Sequence, residues 1–269
     1  MGNNKKIDFR ILIITQDDPF YVRLFFEEFF KSYKQLDEIK SVVIARAMGK
    51  KSLFKLVQQM YNFYGPADFL KMGLKYAAYK LLSNAPGFLS ADGRYSLNQL
   101  CTYHGIPVMH RGDVNSRYFL DKLKGMNLDL IISIAAPVIF KSDLIGVPKY
   151  GCINIHNGKL PKYRGMLPNF WQMYHGEKAI GITIHEINPK IDEGRIILQK
   201  DVAINPGDTL DSLIKRTKRI GAHFMIEAID MIKSGTAEYK ENIPVEGFYF
   251  SFPTREDVKE FKRRGKRIM

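Results

Sequence analysis

Cysteine is nearly absent from this chain: Cys101 and Cys152 are the only two in 269 residues. They form no metal-type or redox-type pair, which excludes a disulfide-built scaffold and the usual zinc modules. The same scarcity fits a reducing compartment, so a cytoplasmic location is expected. Long apolar runs are missing as well. The opening MGNNKKIDFRILIIT contains one short hydrophobic stretch, too brief for a membrane span and without the small-residue cleavage site of a secretory leader. Its Met1-Gly2 start is followed by Lys at position 6, where a myristoylation signal has Ser or Thr. Neither internal repeats nor low-complexity segments occur, which excludes solenoids and fibrous architectures. Acidic residues are in deficit, 28 against 41 Lys and Arg, for a net charge of +13. Such a surplus attracts anions but does not choose among nucleic acid, phosphorylated small molecules and anionic lipid. Part of it lies in the C-terminal run KEFKRRGKR, which reads as a solvated tail.

What is present is an ordinary globular composition, 45% hydrophobic and 26% charged, in a chain long enough to bury a large core without staples. Phe9–Thr15 is apolar throughout, as in a strand covered on both faces. Asp17 and Asp18 then lead into Phe25, Phe26, Phe29 and Phe30, which share one face of a helix. Lys40–Ala47 reads as a second strand, and strand–helix–strand order implies a parallel crossover. Later segments continue the pattern: a helix over Asn115–Met126, strands at Leu128–Ile134, Gly151–His156, Ile180–Ile187 and Arg195–Ala203, and a long helix over Leu210–Lys233. The expected fold is α/β, a Rossmann-like, mostly parallel sheet with helices on both faces.

Two segments stand apart from that frame. Residues 49–85 form a helical insertion, broken into two helices at Gly65-Pro66 and carrying six lysines and one acid, Asp68, from Lys50 to Lys80. It fits a helix pair packed on the domain edge, at a homodimer interface for example. It also fits a basic amphipathic element lying on a membrane surface. Soluble amphipathic helices far outnumber interfacial ones, so edge packing is the expectation. The main domain is expected over 1–235. Residues 236–269 would form a small strand–helix appendage, with a strand at Gly247–Phe252 and a helix started by Thr254 and Asp257 as a capping box.

The chemistry concentrates in GCINIHNGKLPKYRGMLPNFWQMYHG and GITIHEINPKIDEGRIIL. Asn154 and His156 are two apart at the end of an expected strand, so both side chains leave the same face. In open parallel sheets that carboxyl edge is where ligands bind. Asp192, in the loop between Pro189 and Gly194, can reach the same place. An amide can stabilise a developing oxyanion, an imidazole can move a proton, and a carboxylate can orient the imidazole. The histidines at 156, 175 and 185 have no metal-ligand spacing, so no metal is expected. Taken alone, Asn-x-His on a strand is a common coincidence. His185, within an apolar strand, reads as a satisfied structural histidine, and Phe170 and Trp171 read as core.

The full stretch N-I-H-N-G-K-L-P-K-Y-R-G-x-x-P-x-x-W, with G-I-T-I-H and I-D-E-G-R-I-I-L after it, resembles the folate-dependent formyltransferases. That family includes glycinamide ribonucleotide, methionyl-tRNA and sugar N-formyltransferases. The likeness is strong over Leu128–Lys233 and weak before it. It implies a Rossmann-like fold, a catalytic set of Asn154, His156 and Asp192, and 10-formyltetrahydrofolate as formyl donor. It further implies that the folate lies against Ala136, Pro137, Val138 and Ile139, with Asn188 and Asp192 on the opposite wall. This chain has Asn157-Gly158 where the family often has Pro-Ser or Pro-Gly.

The amine acceptor is less constrained. A glycinamide ribonucleotide enzyme would carry a Gly-rich phosphate loop after the first strand, where this chain has TQDDPFY. A methionyl-tRNA enzyme would carry a C-terminal barrel-like domain, which the short stretch after the long helix does not supply, although the positive charge would suit RNA. The wording of the turn is most similar to sugar N-formyltransferases. The expected acceptor is then an anionic amine, a nucleotide-linked amino sugar, with Lys162 and Arg164 in the turn as candidate contacts. Two other classes stay open: a formyltetrahydrofolate hydrolase with water as acceptor, and a non-catalytic interaction protein that keeps the fold.

Overall fold

The computed structural model describes residues 8–46, 53–83 and 95–269. The Met1-Gly2 start, Ala47 of the expected second strand, and both outer edges of the insertion (49–52 and 84–85) lie outside the described residues.

The wholly buried strands β1 (Ile11–Thr15) and β4 (Leu130–Ile134) form the middle of the sheet. Alternation divides their side chains between two layers. Ile11 and Ile13 pack with Phe25, Phe26 and Phe29 of α1 (Val22–Ser32) and with Leu213 and Met225 of α8 (Leu210–Ser234). Leu12 and Ile14 pack on the other face, with Phe119 and Leu123 of α5 (Arg117–Lys124) and Leu144 of α6 (Ser142–Ile145). The expected helices on both faces are therefore present.

β2 (Ile39–Ala45), β3 (Val108–Arg111) and β5 (Cys152–His156) complete a parallel set, while β7 (Ala179–Glu186) and β8 (Ile196–Ala203) each run antiparallel to their neighbour. The order is β3-β2-β1-β4-β5-β7-β8. The chain winds outward in one direction from β1 and in the other from β4. A crevice therefore opens between their carboxyl ends, at Thr15 and Ile134, beside the end of β5. Asp18 Oδ1 accepts from the backbone N–H of Phe20 and Tyr21 where β1 hands over to α1.

The insertion forms α2 (Leu53–Tyr64) and α3 (Pro66–Ser83), which meet at Gly65-Pro66. The sequence did not signal β3, α4 (Leu97–Tyr103, capped by Ser96 and Gln99) or β6 (Tyr163–Gly165). β6 lies in the stretch read only as a turn, and it pairs in parallel with β9 (Phe248–Phe250). Between β6 and β7 runs α7 (Pro168–Tyr174). After β9, Thr254 caps α9 (Arg255–Arg263) through Asp257. Val258, Phe261 and Ile268 are buried in the same cluster as α1 and α8, and the Phe261 ring stacks on Phe170.

Candidate active site

The register of β5 against β7 builds the centre of the site. Asn154 lies opposite His185, and His156 lies opposite Thr183. Asn154 Nδ2 donates to His185 Nε2 at 3.1 Å. His185 Nδ1 in turn donates to the Glu186 carbonyl at 2.7 Å, which fixes the tautomer and leaves Nε2 to accept. Burial lowers the His185 pKa to about 4, with Asp192 opposing and His156 adding to the shift, so at neutral pH the ring is uncharged. An uncharged His185 can hold one amide hydrogen of Asn154, and the second amide hydrogen remains for a ligand.

His156 is anchored from the other side. Its Nε2 donates to the Tyr163 carbonyl at 2.6 Å, so Nδ1 is the nitrogen left for chemistry. That nitrogen is 3.6 Å from Asp192 Oδ2, and Asp192 Oδ1 is 3.7 Å from His185 Nε2. Asp192 itself has a left-handed backbone, φ 54°. Two contacts hold it: the Gly165 N–H donates to Oδ2 at 2.8 Å and Asn242 Nδ2 donates to its carbonyl, while Asn242 also ties the loop through the Gly194 carbonyl. Gly158 permits the close approach behind His156. A Cβ there would stand 2.4 Å from His156 Nε2 and 2.5 Å from the Tyr163 carbonyl oxygen.

These groups open into a cavity of about 1030 Å³. One wall is the loop after β4, with Ala136, Pro137, Val138 and Ile139, and the opposing wall carries Ile187, Asn188, Ile191 and Asp192. Asn115 pins the first wall: its Nδ2 donates to the Ile139 carbonyl and its Oδ1 accepts from the Lys141 N–H. A slot with apolar walls and polar groups at its rim suits a flat heteroaromatic ring. The same cavity is also lined by Gln16, Asp18, Tyr21, Asn157 and Lys218. Burial holds the Lys218 ammonium below the usual lysine range, with Asp18 opposing. Asn157 is buried and its Oδ1 has no hydrogen-bond partner among the described residues, which marks a place for a ligand donor.

The structure brings Asn154, His156 and Asp192 together and lines the same cavity with Ala136–Ile139 and Asn188. It does not bring Lys162 or Arg164 there. Lys162 pairs with Glu177 on the exposed surface, and Arg164 pairs with Glu193 and donates to the Pro244 carbonyl. Arg164 thus braces the residue next to Asp192. His185 is satisfied, as the sequence suggested, but its partners are the site residues themselves. Its signal was the alternation Gly181, Thr183, His185 on the strand face opposite Ile180, Ile182 and Ile184. Lys218 carried no signal, because its approach depends on how α8 packs, whereas Asn157 stood out only as a departure from the family's usual residue after the histidine. Among the described residues no group of His, Cys, Asp or Glu is arranged to hold a metal ion.

The formyl transferase family model matches residues 99–229, a range that contains Asn154, His156 and Asp192. The methionyl-tRNA formyltransferase of Thermodesulfovibrio yellowstonii is 37% identical over 131 residues, 49% of this chain and 42% of that protein. That of Thermotoga maritima is 32% identical over 155 residues, 58% of this chain and 50% of that protein. The chain thus spans about half the length of the curated relatives it matches. Among solved structures, the N-formyltransferase from Helicobacter canadensis, in complex with folinic acid and dTDP-3-aminofucose, aligns with TM-score 0.57 at 19% identity. That alignment covers 93% of this chain and 72% of the other. Glycinamide ribonucleotide transformylase 1 from Symbiobacterium toebii aligns with TM-score 0.60 at 16% identity, over 90% of this chain and 99% of the other. At these identities the structural likeness is one of fold.

Proposed function

We propose that this chain, which belongs to the formyl transferase family through residues 99–229, moves a formyl group from 10-formyltetrahydrofolate to the primary amine of an anionic acceptor, a nucleotide-linked amino sugar. The observation that carries the reaction is the joined set Asn154, His185, Asp192 and His156 at the mouth of the slot between Ala136–Ile139 and Asn188.

The apolar lining and the converging polar groups of the slot suit a pterin, and 10-formyltetrahydrofolate, when bound, supplies the formyl carbonyl. Asn154 donates its second Nδ2 hydrogen to the formyl oxygen as negative charge develops there. His156 accepts a proton at Nδ1 from the attacking amine, and the adjacent Asp192 carboxylate stabilises the imidazolium. A carbon–nitrogen bond to the acceptor forms and the bond to the donor nitrogen breaks. The proton then passes from His156 to that nitrogen. The 3.6 Å gap between His156 and Asp192 suits a bridging water or a small closure on binding.

The acceptor binds against Asn157 and Lys218. Asn157 Oδ1 can take an N–H of the amine, and Lys218 can meet a phosphate or carboxylate. The Helicobacter canadensis likeness supports a sugar acceptor. The methionyl-tRNA formyltransferases among the relatives keep a second reading, with an aminoacyl-tRNA as acceptor.

Purified protein with 10-formyltetrahydrofolate and a panel of amino sugar nucleotides, glycinamide ribonucleotide and methionyl-tRNA separates these. Tetrahydrofolate release that requires an amino sugar supports the proposal. Release that requires methionyl-tRNA replaces the acceptor. Equal release without any acceptor makes the activity hydrolysis, and no release at all sinks the reading.

A further inference from the structure

α3 is a helix with its apolar stripe pointing the wrong way for packing. Leu70, Leu74, Ala77 and Leu81 recur at i, i+4, i+7 and i+11, which places them on one face. That face is open: Leu70 is 64% exposed, Leu74 65% and Leu81 77%. The two buried residues of the helix, Met72 and Tyr79, lie about half a turn round, on the opposite side. Tyr79 fastens that side by donating to Asp17 Oδ1 at 3.0 Å. Lys71 and Lys75 flank the leucine stripe on one edge and Tyr76 and Lys80 on the other, all exposed. α2 exposes further apolar side chains, Phe54 at 75% and Val57 at 44%.

An apolar stripe bordered by lysines and tyrosine, on a chain of charge +13, has the chemistry of a helix that lies in a lipid–water interface. The leucines would enter the acyl boundary while the lysine stems run up to the headgroup phosphates. A nucleic acid would use the lysines but gives the leucines nothing to contact. No helix among the described residues is long and apolar enough to cross a membrane, so the contact is peripheral. We propose that the α2–α3 hairpin docks this protein on an anionic lipid bilayer. The hairpin also supplies Leu56 to the cavity wall, so docking sets the cavity beside the membrane surface. This inference rests on the exposed stripe and not on the formyl-transfer reading.

The full chain would be sedimented with extruded vesicles of phosphatidylcholine alone and of phosphatidylcholine with phosphatidylserine. Binding to the mixed vesicles is expected, and binding to the neutral ones at least tenfold weaker. The double variant Leu74→Glu/Leu81→Glu should abolish sedimentation while its thermal unfolding stays that of the parent, since both side chains are exposed. Lys71→Gln and Lys75→Gln should each weaken binding by about fivefold at low salt. No binding to phosphatidylserine vesicles at low salt would overturn the proposal. So would a concentration-dependent dimer in analytical ultracentrifugation that the leucine variant dissolves, because a second copy would then cover the stripe.

Discussion

At the scale of single residues, the site works by holding two ring nitrogens so that two others stay available. His156 gives Nε2 to the Tyr163 carbonyl and keeps Nδ1, while His185 gives Nδ1 to the Glu186 carbonyl and keeps Nε2. His156→Ala should lower kcat by roughly a hundredfold or more if the ring carries the proton; an unchanged rate would remove it from the chemistry. Gly158→Ala makes a finer test. The added methyl would intrude on the His156–Tyr163 hydrogen bond, so the ring would turn and kcat fall at least tenfold while the dissociation constant for folate stays constant in a fluorescence titration. Equal kcat would mean that the ring position does not matter. The two-residue spacing of Asn154 and His156 on an apolar strand put them on one face, but only the resemblance of the flanking NGKLPKYRG and IDEGRIIL segments singled them out. His185 was visible only as a histidine in an apolar run, because its pairing with Asn154 comes from the antiparallel return of β7, a strand distant in sequence.

At the scale of elements, the long buried strands and the helices with a strong apolar face were readable, and the short pieces were not. β1, β4 and α8 fall within a residue or two of the expected positions, since continuous burial and the 3.6-residue period leave a mark in every residue. β6 is three residues long, and its partner β9 lies far along the chain, so its pairing leaves no local pattern. Yet this pair positions Asp192, through the Gly165 N–H. Gly165 has φ 97°, and a Cβ there would sit 2.2 Å from the Phe250 carbonyl oxygen. Gly165→Ala should therefore break the β6–β9 pair and release Asp192. A loss of roughly 2–4 kcal/mol in urea denaturation is expected, together with a fall in kcat. A variant with parental stability and activity would show that the strand pair does not hold the carboxylate.

At the scale of the whole molecule, buried titratable groups set the pH range of the fold. His185 protonates near its ordinary 6.5 in the unfolded chain but only near 4 in the folded one. Between those values the unfolded state binds more protons, so stability rises with pH across the window and is lost as pH falls through it. One group shifted by that much is worth roughly 3 kcal/mol at full extent. Below the window, Asp208, Glu177 and Glu260, whose pKa values are lowered in the fold, add further loss as they take up protons. At the alkaline end the sign reverses. Burial raises the phenols of Tyr21, Tyr33 and Tyr163, so above the ordinary value of 10 the unfolded chain releases protons that the fold retains, and stability falls. Urea unfolding midpoints should therefore climb from pH 4.5 to 6.5, level off, and drop again above about pH 10. His185→Gln should flatten the acid climb while leaving the alkaline fall in place. If the parent chain showed no climb between pH 4.5 and 6.5, His185 would titrate in the fold as it does in the unfolded chain and would be charged below its ordinary 6.5. In that acid range its Nε2 would donate to Asp192 and could no longer accept from Asn154, so the Asn154–His185 hydrogen bond would hold only above it.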